Sequence, residues 1–109
     1  MLWLKYLSYT NNITIQHCFN NIEKKIGPYP VDGYCKETDT VYEFQGCFMH
    51  GCNKCFHSTS YNPLKCQTMG YLYKVCNERI IKNIVKNFVE IWEHEWDMLF
   101  KENEEIKNF

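Results

Sequence analysis

Apolar residues at positions 2, 3, 4, 6 and 7, interrupted by Lys5, predict a short helix over 2–9. Apolar and polar residues then alternate over 13–18, as in a strand. Asn20-Asn21 marks a turn, and 22–26 reads as a returning strand that Gly27-Pro28-Tyr29-Pro30 ends. The β-rich runs 31–35 and 41–44 flank Lys36-Glu37-Thr38-Asp39-Thr40, which predicts a tight hairpin. From 46 to 67 the periodicity fades among Gly, Cys, Asn, Ser and Pro. An irregular loop that long needs a functional or metal-bound reason to be ordered. Met69, Leu72, Tyr73, Cys76, Ile80 and Ile84 recur at helical spacing, so the main helix is expected over 68–87, with Arg79, Lys82 and Lys86 along another face. A β-rich run at 88–92 and a charged, exposed helix from Glu95, fraying toward Phe109, complete a mixed α/β order without internal repeats.

The length of 109 residues suits one domain, residues 1–109, with its core in about 13–100. A formal charge of −1 excludes a bulk basic field, so any anionic partner must be held by a local patch. Seven cysteines in so short a chain point to a disulfide scaffold or a metal site. The start MLWLKYLSYTNN carries no small-residue cleavage site, which argues against a signal peptide. No stretch approaches the roughly 20 apolar residues of a membrane span, so no membrane partner is expected. An odd cysteine count leaves a thiol unpaired. These features favour an intracellular, reducing compartment, the nucleus included, and metal binding over disulfides.

Cys47, Cys52 and Cys55 have the spacing C-x4-C-x2-C, which lets thiolates converge on one tetrahedral ion such as zinc. The fourth ligand can be His50, His57, Cys66, Cys76 or His94. His94 is preferred, because tying the loop to a distant strand closes a long segment. Cys18, Cys35, Cys66 and Cys76 read as core or surface thiols.

The hairpin carries a second candidate. With Thr38-Asp39 as a two-residue turn, Asp32 faces Gln45 and Tyr34 faces Glu43. Asp32, Tyr34, Glu43 and Gln45 then share one face, and Val31, Cys35, Tyr42 and Phe44 the other. Carboxylates of Asp32 and Glu43 on neighbouring strands can close on one Mg²⁺, which at a phosphodiester would activate water and neutralise charge. A hairpin with a solvated polar face is the simpler alternative.

Taken together, VDGY (31–34), YEFQGCFMHGCNKC (42–55), Asn62-Pro63, the long helix and IWEHEW (91–96) resemble the very-short-patch-repair type of endonuclease in the PD-(D/E)xK superfamily. The likeness spans roughly residues 13–100. It is greatest to the version of this domain in the protein-primed family B DNA polymerase reading frames of Maverick (Polinton) transposons and related viruses. The resemblance implies a restriction-endonuclease-like mixed sheet with flanking helices and a zinc-binding loop. It makes Asp32 the motif aspartate and Glu43-Phe44-Gln45 the (D/E)xK triplet. It makes Cys47, Cys52, Cys55 and His94 the structural zinc set and His50 a catalytic histidine; Glu23 is a loose match to a further acid.

Three positions depart from the family pattern. Gln45 stands where the motif has lysine, and an amide orients water without supplying positive charge. Met49 replaces an aromatic residue, and His94 replaces a cysteine while remaining a good zinc ligand. Nothing in the chain resembles the paired aspartates of a polymerase, so no polymerase activity is expected. The expected function is Mg²⁺-dependent DNA cleavage from a mobile-element or viral gene, with Gln45 orienting water, His50 assisting proton transfer, and Lys65, Lys74, Arg79, Lys82 and Lys86 on phosphates. A catalytically inactive DNA-binding module, or a truncated relic of a polymerase gene, is the alternative.

Overall fold

A computed structural model describes residues 2–16 and 25–107. Along the chain, α1 is Leu2–Asn11, and β1 (Lys25–Ile26) pairs with β2 (Tyr29–Pro30). Next come β3 (Gly33–Cys35), β4 (Thr40–Gln45) and α2 (Cys47–His50). A second small hairpin joins β5 (Tyr61–Asn62) to β6 (Gln67–Thr68), and α3 (Met69–Asn77) and α4 (Ile81–Ile84) lead to β7 (Asn87–Trp92). The chain closes with α5 (Glu93–Glu102) and α6 (Glu104–Lys107). This is a mixed α/β arrangement of small sheets and helices.

The central sheet has the order β3-β4-β7. β4 runs antiparallel to β3 and parallel to β7, in a register that sets Glu43 beside Glu90 and Gln45 beside Trp92. One face of the sheet packs Cys35, Tyr42, Phe44 and Ile91 against Trp3, Leu4, Ile15, Trp96 and Ile106. Trp3 meets Tyr42 edge-on at a centroid distance of 6.2 Å, a favoured geometry for aromatic pairs. The other face buries Val41 with Val31 and Ile81, flanked by Phe88 and Val85. That face also carries Glu43 and Gln45, so α3 and α4 lie over a surface that is polar toward its α2 end.

Several sequence expectations change. The hairpin turn spans four residues, Lys36 to Asp39, and the register is Gly33↔Tyr42 and Cys35↔Thr40. Asp39 takes a left-handed conformation (φ 48°) there, its carboxylate accepting the Tyr34 hydroxyl and the Lys86 N–H at 2.7 and 2.9 Å. Pairing therefore slips by two residues from the two-residue-turn register, so Asp32 comes opposite Glu43 rather than Gln45. A slip of two preserves which side chains share a face. Val31 is the exception, packing with Val41 and Ile81 on the opposite side from Cys35, Tyr42 and Phe44.

Within 13–16 only a bridge between Gln16 and Tyr34 forms; the rest of the predicted strand, the Asn20-Asn21 turn and most of 22–26 lie outside the described residues. Gly27-Pro28 turns a small hairpin instead of ending a strand. The expected helix over 68–87 is two helices separated at Glu78, Arg79 and Ile80, and the loop over 46–67 contains α2 and the β5–β6 hairpin. Nor is the tail fully exposed, since Ile106 is buried against the core.

Candidate functional site

Asn62 explains how the segment after β4 holds its shape. Its buried side chain donates from Nδ2 to the Phe48 carbonyl at 2.8 Å, and Oδ1 accepts the N–H groups of Leu64 and Lys65 at 2.9 and 3.1 Å. One amide thus ties the β5–β6 turn to α2 and satisfies backbone groups that no ladder reaches. α2 is a single turn ended by Gly51 in the left-handed region (φ 65°), where an added Cβ would strike the backbone carbonyl of Met69. Cys52 and Cys55 follow in tight turns, the N–H groups of Cys55 and Phe56 donating to the Cys52 carbonyl.

These turns bring Cys47, Cys52 and Cys55 to His94, the second residue of α5. Sγ of Cys47 and Sγ of Cys52 each lie 3.3 Å from His94 Nδ1, and all four ligand atoms lie within 4.8 Å of one another. Donors around tetrahedral zinc, at about 2.3 Å for sulfur and about 2.0 Å for nitrogen, are roughly 3.5 Å apart, so the set can hold a metal such as zinc. The Glu93 carboxylate accepts the Cys47 N–H at 3.1 Å and fixes α2 to α5. Burial, opposed by the hydrogen bond with His94 and reinforced by the neighbouring thiols Cys55 and Cys52, pushes the Cys47 thiol up to about 12, and burial also raises Cys55. A bound cation reverses that balance by favouring thiolate.

The other fourth-ligand candidates stand elsewhere. His57 Nδ1 pairs with Thr59, and Cys66 is exposed with its thiol toward the Pro63 carbonyl. All six cysteines among the described residues are free thiols; Cys18 lies outside them.

The polar end of the sheet forms the second cluster. Asp32 Oδ2 accepts the Phe44 N–H at 2.8 Å, which places its carboxylate against that of Glu43. Glu43 is only 5% exposed and Gln45 is fully buried. Burial, then hydrogen bonding to and repulsion from Asp32, raise Glu43 to about 8, although the Arg79 guanidinium opposes the shift. Arg79 Nη2 lies 3.3 Å from Glu43 Oε1, an ion pair rather than an aligned hydrogen bond, so that oxygen and Gln45 Oε1 are both buried without a hydrogen-bond partner. Gln45 Nε2 donates to Glu90 Oε2 at 3.1 Å, and Lys82 Nζ lies 3.7 Å from Glu90 Oε1. His50 is half-buried nearby. Desolvation lowers its pKa first, then the charges of Arg79 and Lys65, against the opposing fields of Asp32 and Glu90.

Asp32, Glu43, Gln45 and His50 therefore share one region, and Cys47, Cys52, Cys55 and His94 form a separate group. The five basic residues do not make a row. Arg79 and Lys82 turn inward to Glu43 and Glu90, while Lys65, Lys74 and Lys86 are exposed on different segments. Glu90 and Asn62 were not singled out as functional side chains by the sequence. Glu90 shares the alternation of Phe88 and Trp92, but only the parallel pairing with β4 turns that face toward Glu43. Glu23 lies outside the described residues. Compared with known proteins, the chain matches no family model, no curated protein and no solved structure.

Proposed function

We propose that the chain is a zinc-stabilised, Mg²⁺-dependent DNA endonuclease domain of the very-short-patch-repair type, from a mobile-element or viral polymerase gene and working inside the cell. The observation that supports this most is the juxtaposed pair Asp32 and Glu43 beside His50. Oxygen donors suit Mg²⁺, and two buried oxygens here, Glu43 Oε1 and Gln45 Oε1, lack hydrogen-bond partners. Asp32 and Glu43 would hold the ion, which when bound supplies an activated water and neutralises charge at a phosphodiester.

The chain's own residues do the rest. The Phe44 N–H fixes the Asp32 carboxylate, so that donor is oriented before any ligand arrives. His50, at the same end of the sheet, accepts a proton from the attacking water. Exposed Lys65, Lys74 and Lys86 hold the DNA backbone through charge alone. Cys47, Cys52, Cys55 and His94 hold zinc and carry no chemistry; they lock α2, and with it His50, against α5. Zinc-loaded protein incubated with plasmid and branched DNA in Mg²⁺ or Mn²⁺ is expected to cut, and Asp32→Ala to lose the cutting. Intact DNA with the wild type removes the enzyme reading.

A second reading, a non-catalytic DNA-binding module, is favoured by Gln45, whose amide is buried and bonded to Glu90 instead of facing a substrate. DNA binding that persists without divalent metal, with no cleavage, would select it.

A further inference from the structure

The nuclease reading leaves a chemical gap, because position 45 carries no positive charge and phosphodiester hydrolysis develops negative charge on phosphate oxygens. We propose that Arg79 fills this gap as a catalytic residue that contacts the scissile phosphate from the Glu43 side of the site. The inference rests on the metal-dependent nuclease reading above.

Among the described residues Arg79 is the cation in ion-pair contact with the acid pair, at 3.3 Å from Glu43 Oε1. Its side chain is 26% exposed against 6% for Glu43, so Arg79 is the more solvent-accessible member of the pair. A guanidinium has five donors in a planar fork, and one nitrogen on Glu43 leaves others for phosphate oxygens. Arg79 lies in the short break between α3 and α4, outside either helix. Among the described residues no other cation forms an ion pair with Asp32 or Glu43, although the charge of Lys65 acts on His50. Lys82 pairs with Glu90 and lies over the Phe88 ring, 5.1 Å from its centroid. Lys65, Lys74 and Lys86 are exposed on separate segments.

The step balances as hydrolysis. A water oxygen bonds to phosphorus, the phosphorus–ester oxygen bond breaks, the water proton passes to His50 and on to solvent, and the leaving alkoxide takes a proton from solvent water. Arg79 transfers no proton and stabilises the charge on the non-bridging oxygens.

The test uses the zinc-loaded chain and a short DNA duplex, with two readouts. One is single-turnover cleavage in Mn²⁺ at saturating DNA; the other is duplex binding in Ca²⁺ across a salt series. Arg79→Ala is expected to slow cleavage about 10²- to 10³-fold and to flatten the slope of log K against log salt by about one unit. Arg79→Lys, with one point charge in place of the fork, is expected to recover the salt slope and only part of the rate. It also serves if the alanine variant fails to fold. Unchanged cleavage in Arg79→Ala, or in Arg79→Lys if the alanine variant does not fold, overturns the assignment while leaving the nuclease reading standing. A wild type that does not cut under these conditions removes the nuclease reading, and this inference with it.

Discussion

Replacing Glu43 by Gln tests the buried acid through stability. Its ordinary carboxyl value of 4.5 is raised to about 8 in the fold, first by burial, then by Asp32, with Arg79 opposing. Below about pH 4.5 both the folded and the unfolded chain hold the proton, and the stability associated with the neutral group is fully present. Between there and about 8 the unfolded chain releases its proton while the folded chain keeps it. Stability therefore falls as pH rises, and the loss is complete above the folded value. The span from 4.5 to about 8 corresponds to roughly 5 kcal/mol for one proton as an upper bound. Relaxation around the ionised group brings the expected figure to about 3 kcal/mol. Glutamine has no proton to release, so Glu43→Gln should match the wild type near pH 4 to 5 and exceed it at about pH 9. For a chain of this size the excess is about 10 °C or more in melting temperature. Melts of zinc-loaded, Mg²⁺-free protein from about pH 6 to about pH 9, above the range in which protonation of the thiolate ligands releases zinc, follow the rise of that difference, and shared titrations such as that of His50 cancel. A difference that stays flat with pH, or a variant less stable than the wild type at high pH, would refute the account of Glu43.

Four further substitutions probe the scaffold. Cys52→Ser should release zinc to a chromogenic chelator at concentrations the wild type resists and lose cooperative unfolding, because binding energy at such a site is folding energy; equal retention would contradict the ligand set. Asn62→Ala strands the Phe48 carbonyl and two N–H groups and should cost about 2 to 4 kcal/mol in denaturant unfolding, whereas a loss below about 1 kcal/mol would mean that water replaces the amide. Gly51→Ala combines positive φ with a clash on the Met69 carbonyl and should abolish the folded state, while Gly27→Ala, with φ 60° but open space, should cost only about 1 kcal/mol. Similar melting of these two variants would contradict the packing at Gly51.

The periodic elements were readable: the first helix, the two hairpin strands, the strand ending at Trp92 and the Cys47–Cys52–Cys55 spacing all announce themselves locally. Face assignment survived the wrong register, because a slip of two keeps alternation intact and Asp32 stays on the side of Glu43. Long-range pairing was not readable. Nothing near Glu90 signals that β7 runs parallel beside β4, and that pairing alone brings Glu90 to Gln45. The helix break at Arg79 has no glycine or proline to mark it. Tertiary packing decides it, burying Ile81 and leaving Ile80 and Ile84 exposed. Order in the 46–67 segment is associated with one buried amide and with three thiols that converge on His94, which periodicity does not register. A tetrahedral set requires a fourth donor but leaves five candidates, and His94 stands out among them because it ties the loop to a distant strand.

The division of labour across Glu43 to Cys55 is tested most directly by measuring zinc content and plasmid nicking together on wild type and Glu43→Gln. The account predicts one zinc per chain in both proteins, with nicking in Mg²⁺ or Mn²⁺ by the wild type alone. Equal nicking by the two proteins, or a wild type that folds without zinc, would contradict it.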